Sequence, residues 1–332
     1  MPTSLTVVVG AGEPGVMAFS PAPAARTMTS LRFVTQAVIW GGSFTLIGIA
    51  GQSFSPGFVV LTRLILGAVV LTLVALMRRE RLVRGLRAWV FTAVGAVLSN
   101  VLPYLLLCYG EALISPGIAG VLIGATPLLT ACLAAIVRPE ERSPRTLVGL
   151  VPALLGLVLV VRPFDGVGTL LGGALCLLAA GSYAAGYVWA RAFQSGPGTS
   201  PLGVAASQLI AAAAIQLCFT PVLCWEMGTP TPSALVATVA LGMLGTGWAT
   251  VLYFRLVRDI GATRAAAVDY LVPVVALGIA ALSDPSLLTP LTLVGSALVI
   301  TGLVVGDPSV RRRARSSRAP TVSDPERDAR PS

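Results

Sequence analysis

Ten long and nearly uncharged apolar blocks, joined by mostly short loops, constrain the fold of this chain more than any other feature. They cover about residues 33–51, 57–77, 88–108, 116–137, 146–162, 169–190, 202–224, 233–254, 264–282 and 288–305. A helix rises about 1.5 Å per residue and a bilayer core is about 30 Å thick, so about 20 apolar residues cross it. The pattern therefore predicts an all-α integral membrane protein with ten transmembrane helices.

Composition agrees with a chain that faces lipid rather than water. Hydrophobic residues make up 55% of the chain and charged residues 11%, whereas a soluble domain carries about 25% charged residues. All 23 basic side chains are arginines, which lie in short clusters between the apolar blocks. This distribution is typical of cytoplasmic loops, and we expect no nucleic-acid partner. The chain has no histidine and its five cysteines have no metal-ligand spacing, so we expect no cofactor and no metal.

The arginine clusters also predict the orientation in the membrane. They precede the first predicted helix and follow the second, fourth, sixth, eighth and tenth, while the alternate loops are nearly bare and hold only Arg162. Because cytoplasmic loops carry the excess of basic residues, this alternation places both termini in the cytoplasm. The predicted location is the inner (plasma) membrane, crossed many times.

The two ends of the chain are predicted to be disordered. Residues 1–32 lack the basic start of a signal peptide, and Met28, just ahead of the first block, is an alternative start of the protein. Residues 306–332 are rich in Arg, Ser, Pro and Asp, which predicts a disordered cytoplasmic tail.

The chain contains an internal repeat. A shift of 146 positions places Thr146–Gly149 on Thr292–Gly295, Gly156–Val158 on Gly302–Val304, and Pro127 on Pro273. We therefore predict two five-helix repeats, 33–162 and 169–305. Because five is odd, the second repeat enters the membrane from the opposite side. Such inverted repeats are typical of secondary transporters, which expose a central site to each face in turn.

Several short motifs in these repeats resemble those of one transporter family. They are Ile39-Trp40-Gly41-Gly42-Ser43-Phe44 in helix 1, Leu61-Thr62-Arg63-Leu64 in helix 2, Ala125-Thr126-Pro127-Leu128 in helix 4 with Glu140-Glu141-Arg142 and Gly149 after it, and Leu271-Val272-Pro273-Val274 with Gly295 in the second half. In order and spacing, residues 33–305 resemble the EamA-like family of the drug/metabolite transporter superfamily. One departure is that Ser286 stands where that family's second repeat has a glutamate. The resemblance implies a ten-helix carrier, an exporter of small metabolites.

Two ionisable residues are predicted to lie inside the membrane, where a charge costs about 2.5–3.5 kcal/mol on insertion scales. Arg63 lies early in helix 2, where it would attract an anionic or zwitterionic solute in the cavity or extend to the outer headgroups. Asp269 lies early in helix 9, where it would couple transport to protons or recognise a cation. The alternatives are a pair with Arg258 or Arg264, or a water-exposed helix end. Glu111 is expected to be a solvated charge in the loop between helices 3 and 4.

Polar and aromatic residues at depth are further candidates for the substrate cavity. They are Asn100 in helix 3, Tyr183 in helix 6 and Trp248 in helix 8, although such side chains also hold helices together. Pro127 and Pro273 each remove one helical hydrogen bond at matched places. We interpret them as paired hinges, with simple kinks as the alternative.

Together these features predict a secondary active transporter that moves a small-molecule solute by alternating access and works as a possible homodimer. The chain has no Walker motif, so the energy would come from a gradient. A membrane-embedded enzyme and a channel are the alternatives. The first would need a reactive constellation and the second a filter or charged rings, and the sequence contains neither pattern.

Overall fold

In the computed structural model, residues 23–141, 144–161, 166–194, 200–223 and 228–306 are described. Within these ranges all regular structure is helical. The two segments predicted to be disordered, 1–32 and 306–332, lie largely outside the described residues. The first helix nevertheless begins earlier than predicted, at Pro23.

Ten apolar helical segments follow one another along the chain. They are α1 (Pro23–Gly51), α2 (Pro56–Met77), α3 (Leu86–Glu111), α4 (Pro116–Val137), α5 (Pro144–Val161), α6 (Val167–Phe193), α7 (Pro201–Leu223), α8 (Pro232–Ile260), α9 (Ala262–Ala265, Ala266–Tyr270 and Val272–Ser283) and α10 (Pro290–Gly306). Among the described residues, eight of these segments are long and apolar enough to cross a membrane, and the other two are shorter apolar helices within α5 and α10. Ten crossings therefore remain a prediction.

Two of the helices are interrupted immediately before the matched prolines. Helix α4 breaks between Ile123 and Thr126. Helix α9 is 3₁₀-helical over Ala266–Tyr270 and resumes at Val272. Proline cannot donate a backbone hydrogen bond and its ring clashes with the preceding turn, which accounts for both breaks. The predicted interruptions are present, whereas a hinge motion at them stays a prediction.

Two other helices, equivalent in the repeats, widen into π-helical turns. These are Val97–Val101 in α3 and Leu241–Trp248 in α8. A π-turn leaves carbonyl groups without their usual helical partners, and such turns are frequent at functional sites. The hydroxyl of Ser182 in α6 donates to the Leu98 carbonyl at 2.7 Å, so a neighbouring helix stabilises the first of these turns.

The packing of the helices repeats about a pseudo-two-fold relation between the halves. Helix α1 packs on α8 and α9, and its counterpart α6 packs on α3 and α4. Helix α2 packs on α8 as its counterpart α7 packs on α3, and α2–α7, α4–α9 and α5–α10 pair with each other. All of these contacts join one half to the other, so the two halves share a single core.

The α5–α10 pair explains why glycines recur in both repeats. A Cβ added at Gly302 would lie 2.5 Å from the carbonyl oxygen of Gly149, and one at Gly295 would lie 2.8 Å from that of Gly156. These four glycines are the matched positions of the repeat motif, and the repeat relation maps the contact between Gly149 and Gly302 onto the contact between Gly295 and Gly156. The contacts require α5 and α10 to run antiparallel with their backbones touching, which small residues allow in membranes.

Helices α1 and α8 are also antiparallel. Ser53, after the end of α1, accepts a backbone hydrogen bond from Gly228 at 3.0 Å and its hydroxyl lies 3.2 Å from that of Thr231. At the other end of the pair, Arg32 forms an ion pair with Asp259. This end of the bundle also carries the arginines of the α2–α3 connection, and we call it the Arg-rich end.

Candidate functional site: a buried arginine and a tyrosine row between the two halves

Arg63 in α2 lies at the boundary between the two halves of the chain. Its side chain is 6% exposed, so it does not extend to the headgroups. Its Nε donates a 2.8 Å hydrogen bond to the Thr246 hydroxyl of α8, and its guanidinium carbon lies 3.9 Å above the centre of the Tyr104 ring of α3. Its Nη1 is buried without a hydrogen-bond partner. Arg63 therefore presents a fixed positive charge with one free donor inside the protein.

Thr246 holds this arginine because α8 is π-helical there. Its hydroxyl donates at 3.2 Å to the carbonyl of Leu241, five residues earlier. It can therefore accept the hydrogen bond from Arg63 with its lone pairs. Gly67 of α2 makes room for this contact, since a Cβ at that position would lie 2.7 Å from the Thr246 methyl group. The π-turn of α8, Thr246 and Gly67 together allow α2 and α8 to pack closely around the Arg63 guanidinium.

We expect Thr246→Val to destabilise the protein by about 1–3 kcal/mol, because it leaves a second buried donor of Arg63 without an acceptor. Thr250→Val is the matched control, since the Thr250 hydroxyl bonds only the carbonyl one turn earlier in its own helix. Thermal denaturation in detergent measures both variants. Equal melting temperatures for the two would contradict the role given to Thr246.

A row of tyrosines continues from Arg63. The Tyr104 and Tyr183 ring centres lie 6.3 Å apart, and those of Tyr183 and Tyr187 lie 6.5 Å apart. Exposure rises along the row, from 8% at Tyr104 to 48% at Tyr187. Tyr187 thus ends the row as an exposed side chain. The row leads from the enclosed charge to the accessible surface of the bundle.

Asp269 lies near the accessible part of this row. It occupies the 3₁₀ segment of α9 rather than a regular helix, is half-buried, and is close enough to Tyr187 and Tyr253 for electrostatic interaction. Among the described residues it forms no ion pair with Arg63, Arg258 or Arg264. The structure thus brings Arg63, Tyr183 and Asp269 to one tyrosine-lined region, with the arginine at its closed part.

The other two cavity candidates are placed differently. Asn100 is 8% exposed and lies in the π-turn of α3, beside the Ser182–Leu98 hydrogen bond. Trp248 is 40% exposed and its ring is covered by Arg255 at 5.4 Å. The π-turn directs Thr246 toward α2, and the ring contacts of the tyrosine row do not include Trp248, two residues later. The structure does not bring Trp248 into this cluster.

Glu111 corrects a prediction. It is the last residue of α3 rather than a loop residue, and both of its carboxylate oxygens are buried without a hydrogen-bond partner. The helix extends beyond its apolar block because Gly110 packs against α6, where a Cβ would lie 2.6 Å from the sulfur of Cys176. The burial of Glu111 thus depends on tertiary packing, which the local sequence does not indicate.

Two surface cavities lie away from the cluster. The larger, about 580 Å³, is at the Arg-rich end and is lined by Arg81, Arg84, Arg87, Phe91 and Phe193 among others. The second, about 270 Å³, lies at the opposite end beside Ser115 and Thr289. Neither includes a residue of the tyrosine row.

Comparison with known proteins gives consistent matches along both halves. Residues 28–162 and 170–305 each match the model of the EamA-like transporter family. The chain is 27% identical over 269 residues to the uncharacterized transporter YdfC of Bacillus subtilis, covering 80% of this chain and 86% of that protein. It is 26% identical over 251 residues to the uncharacterized inner membrane transporter YedA of Escherichia coli K12, covering 72% and 78%.

Two further similarities concern an exporter and the fold. The chain is 26% identical over 287 residues to a probable terminal-alkyne amino-acid exporter of Streptantibioticus cattleyicolor, covering 86% of this chain and 96% of that protein. A solved crystal structure superposes with a TM-score of 0.62 at 21% identity, covering 86% of this chain and 99% of the other. At that identity the structural similarity establishes the fold alone.

Proposed function

Because the chain belongs to the EamA-like transporter family, we propose that it is a secondary active exporter of small, amino-acid-like metabolites. It is a multi-pass protein of the plasma membrane. In this proposal ten helices cross the membrane as two inverted repeats, and the Arg-rich end faces the cytoplasm. A gradient drives alternating access to a site between the repeats.

The observation that carries the proposal is the buried Arg63 between the two halves. A charge enclosed in a membrane protein is costly unless a partner compensates it, and Arg63 keeps one donor free. The carboxylate of a solute is the partner that such a donor fits best. The similarity to an amino-acid exporter favours a solute that carries this group.

The tyrosine row supports alternating access. Arg63 and Tyr104 are enclosed, whereas Tyr187 and Asp269 are accessible and lie farther toward the Arg-rich end. In this proposal the site is closed toward one end of the bundle and open toward the other, as in a carrier that faces the cytoplasm. Tyr183, Asn100 and Asp269 line the proposed route, and the breaks before Pro127 and Pro273 act as its hinges.

The proposed orientation in the membrane makes a separate prediction. A fluorescent reporter fused after Arg79, in the Arg-rich connection, should fold in the cytoplasm, and a phosphatase fused after Leu113 should be active outside it. The reverse pattern, or activity of both reporters on one side, would contradict the orientation.

The function is tested by expressing the protein in a bacterial host and profiling the medium by mass spectrometry. We expect one class of metabolite to accumulate outside cells that contain the wild type, but not outside cells with an empty vector. The Asp269→Asn variant should export less, because Asp269 lies on the accessible part of the route. A correctly inserted wild type that matches the empty vector across hosts would contradict the exporter assignment.

A further inference from the structure

Glu111 is the most unusual titratable group that the proposed route does not use. It ends α3 at the end of the bundle opposite the Arg-rich end, and α6 covers it where Gly110 lies against Gly172 and Cys176. Both carboxylate oxygens are buried, and neither accepts a hydrogen bond. A buried ionised carboxylate without partners costs several kcal/mol, so the structure must compensate this group in another way.

The neighbouring groups do not supply that compensation. From α2, the positive charge of Arg63 is close enough for electrostatic interaction but forms no ion pair with Glu111. The other titratable groups around this centre are thiols and phenols, Tyr104 and Cys108 from α3 and Cys176 and Tyr183 from α6, and none of these side chains can supply a positive charge. The facing parts of α1 and α4, Ser43–Gly51 and Pro116–Gly124, contribute no titratable side chain.

The enclosed position of the Glu111 carboxyl group limits what can bind to it. Its oxygens have no accessible surface, which leaves no room for a metal ion, an ammonium group or a water molecule. A proton needs no cavity, and it removes the charge whose burial is costly. We propose that Glu111 is a proton-binding site, protonated in this closed arrangement and deprotonated when the contact between α3 and α6 opens.

This step connects the proton to transport, and in that respect it rests on the proposed function. When the α3–α6 contact opens, water reaches the carboxyl group, whose O–H bond breaks to leave a carboxylate and pass the proton to that water. Closure requires the proton to return, because otherwise an unpaired charge would be buried. Glu111 thereby makes the closed conformation depend on proton concentration at the end of the bundle opposite the Arg-rich end.

The protonation state can be measured without knowing the solute. Infrared spectroscopy of the full-length protein in liposomes at neutral pH should show the carbonyl stretch of a protonated carboxylic acid. Glu111→Gln, which keeps the shape of the neutral acid, should abolish that band, and Asp269→Asn should leave it in place. Absence of the band in wild type, or its persistence in a monodisperse Glu111→Gln variant, would overturn the proposal.

The link to transport has its own readout in proteoliposomes, with the metabolite that profiling identifies as the probe. Glu111→Gln should still exchange this metabolite across the membrane but should lose the several-fold dependence of the wild-type exchange rate on the pH at the end of the bundle opposite the Arg-rich end. An unchanged pH dependence in the variant would overturn this role of Glu111. Failure of wild type to exchange any metabolite would contradict the proposed function, whereas an infrared band lost in Glu111→Gln would still establish the proton site.

Discussion

Replacement of Gly302 by valine is expected to prevent the protein from accumulating in a folded form. The added Cβ would lie 2.5 Å from the Gly149 carbonyl oxygen and 2.8 Å from the Ala153 backbone nitrogen. Backbone atoms cannot rotate away, so α5 and α10 would have to separate along their length. Overpacking of a flexible core costs about 1–3 kcal/mol, and we expect a larger loss here from a native stability of about 5–15 kcal/mol.

Size-exclusion chromatography of a fluorescent fusion measures this effect, and Gly278→Val is its matched control. Gly278 is also helical, and a Cβ there would meet no atom within 4 Å. Both variants therefore place valine, with its lower helix propensity than alanine, in a helix, but only Gly302→Val creates a clash with a neighbouring helix. The reciprocal Gly149→Val should behave like Gly302→Val, because the two glycines face each other. Equal folded yields for Gly302→Val and Gly278→Val would show that the two helices do not touch as described.

Conversion of Arg63 to lysine is expected to lower the rate of export at least tenfold although the positive charge is kept. The guanidinium of Arg63 bonds Thr246 through Nε while it stacks on Tyr104 and keeps Nη1 free. A lysine ammonium is a single point donor that cannot keep this geometry. The loss of one hydrogen bond to a charged group is worth about 1.5–3 kcal/mol, and each 1.4 kcal/mol is a factor of ten.

Arg258→Lys provides the control for this variant. Arg258 is exposed near the Arg-rich end of α8, and its conversion should leave both folding and export unchanged. Both proteins should elute as monodisperse peaks, so that a change in export reports on the site rather than on assembly. Export by Arg63→Lys at the wild-type rate would mean that only the charge of Arg63 contributes, or that the solute does not reach it.

Much of the helical architecture could be predicted because its causes are local. Apolar blocks of membrane length predict helices wherever they occur, and the structure has a helical segment at each of them. Pro127 and Pro273 predicted the positions of two helix interruptions. Proline has no backbone N–H, so the helical hydrogen bond to the preceding turn is missing just before each of them. The matched Gly149 and Gly295 belonged to the repeat signal, although the sequence did not reveal that they mark the contact between α5 and α10.

The centre of the site was predicted less completely because its causes are tertiary. Arg63 was recognised as a residue at depth, but its partner Thr246 lies 183 positions away. The π-turn that presents Thr246 depends on packing against another helix, which no local pattern records. Glu111 was assigned to a loop because its burial arises from the contact of Gly110 with α6. In each case the decisive atoms belong to the other half of the chain.

The central claim is that this protein is a carrier whose site, at Arg63, opens to one side of the membrane at a time. Counterflow in proteoliposomes tests it most directly, with the metabolite that profiling identifies as the labelled solute. We predict that unlabelled metabolite inside the vesicles accelerates entry of the labelled form several-fold in wild type and that Arg63→Lys loses this acceleration. Entry that is independent of internal metabolite and proportional to external concentration would instead indicate a channel and contradict the account.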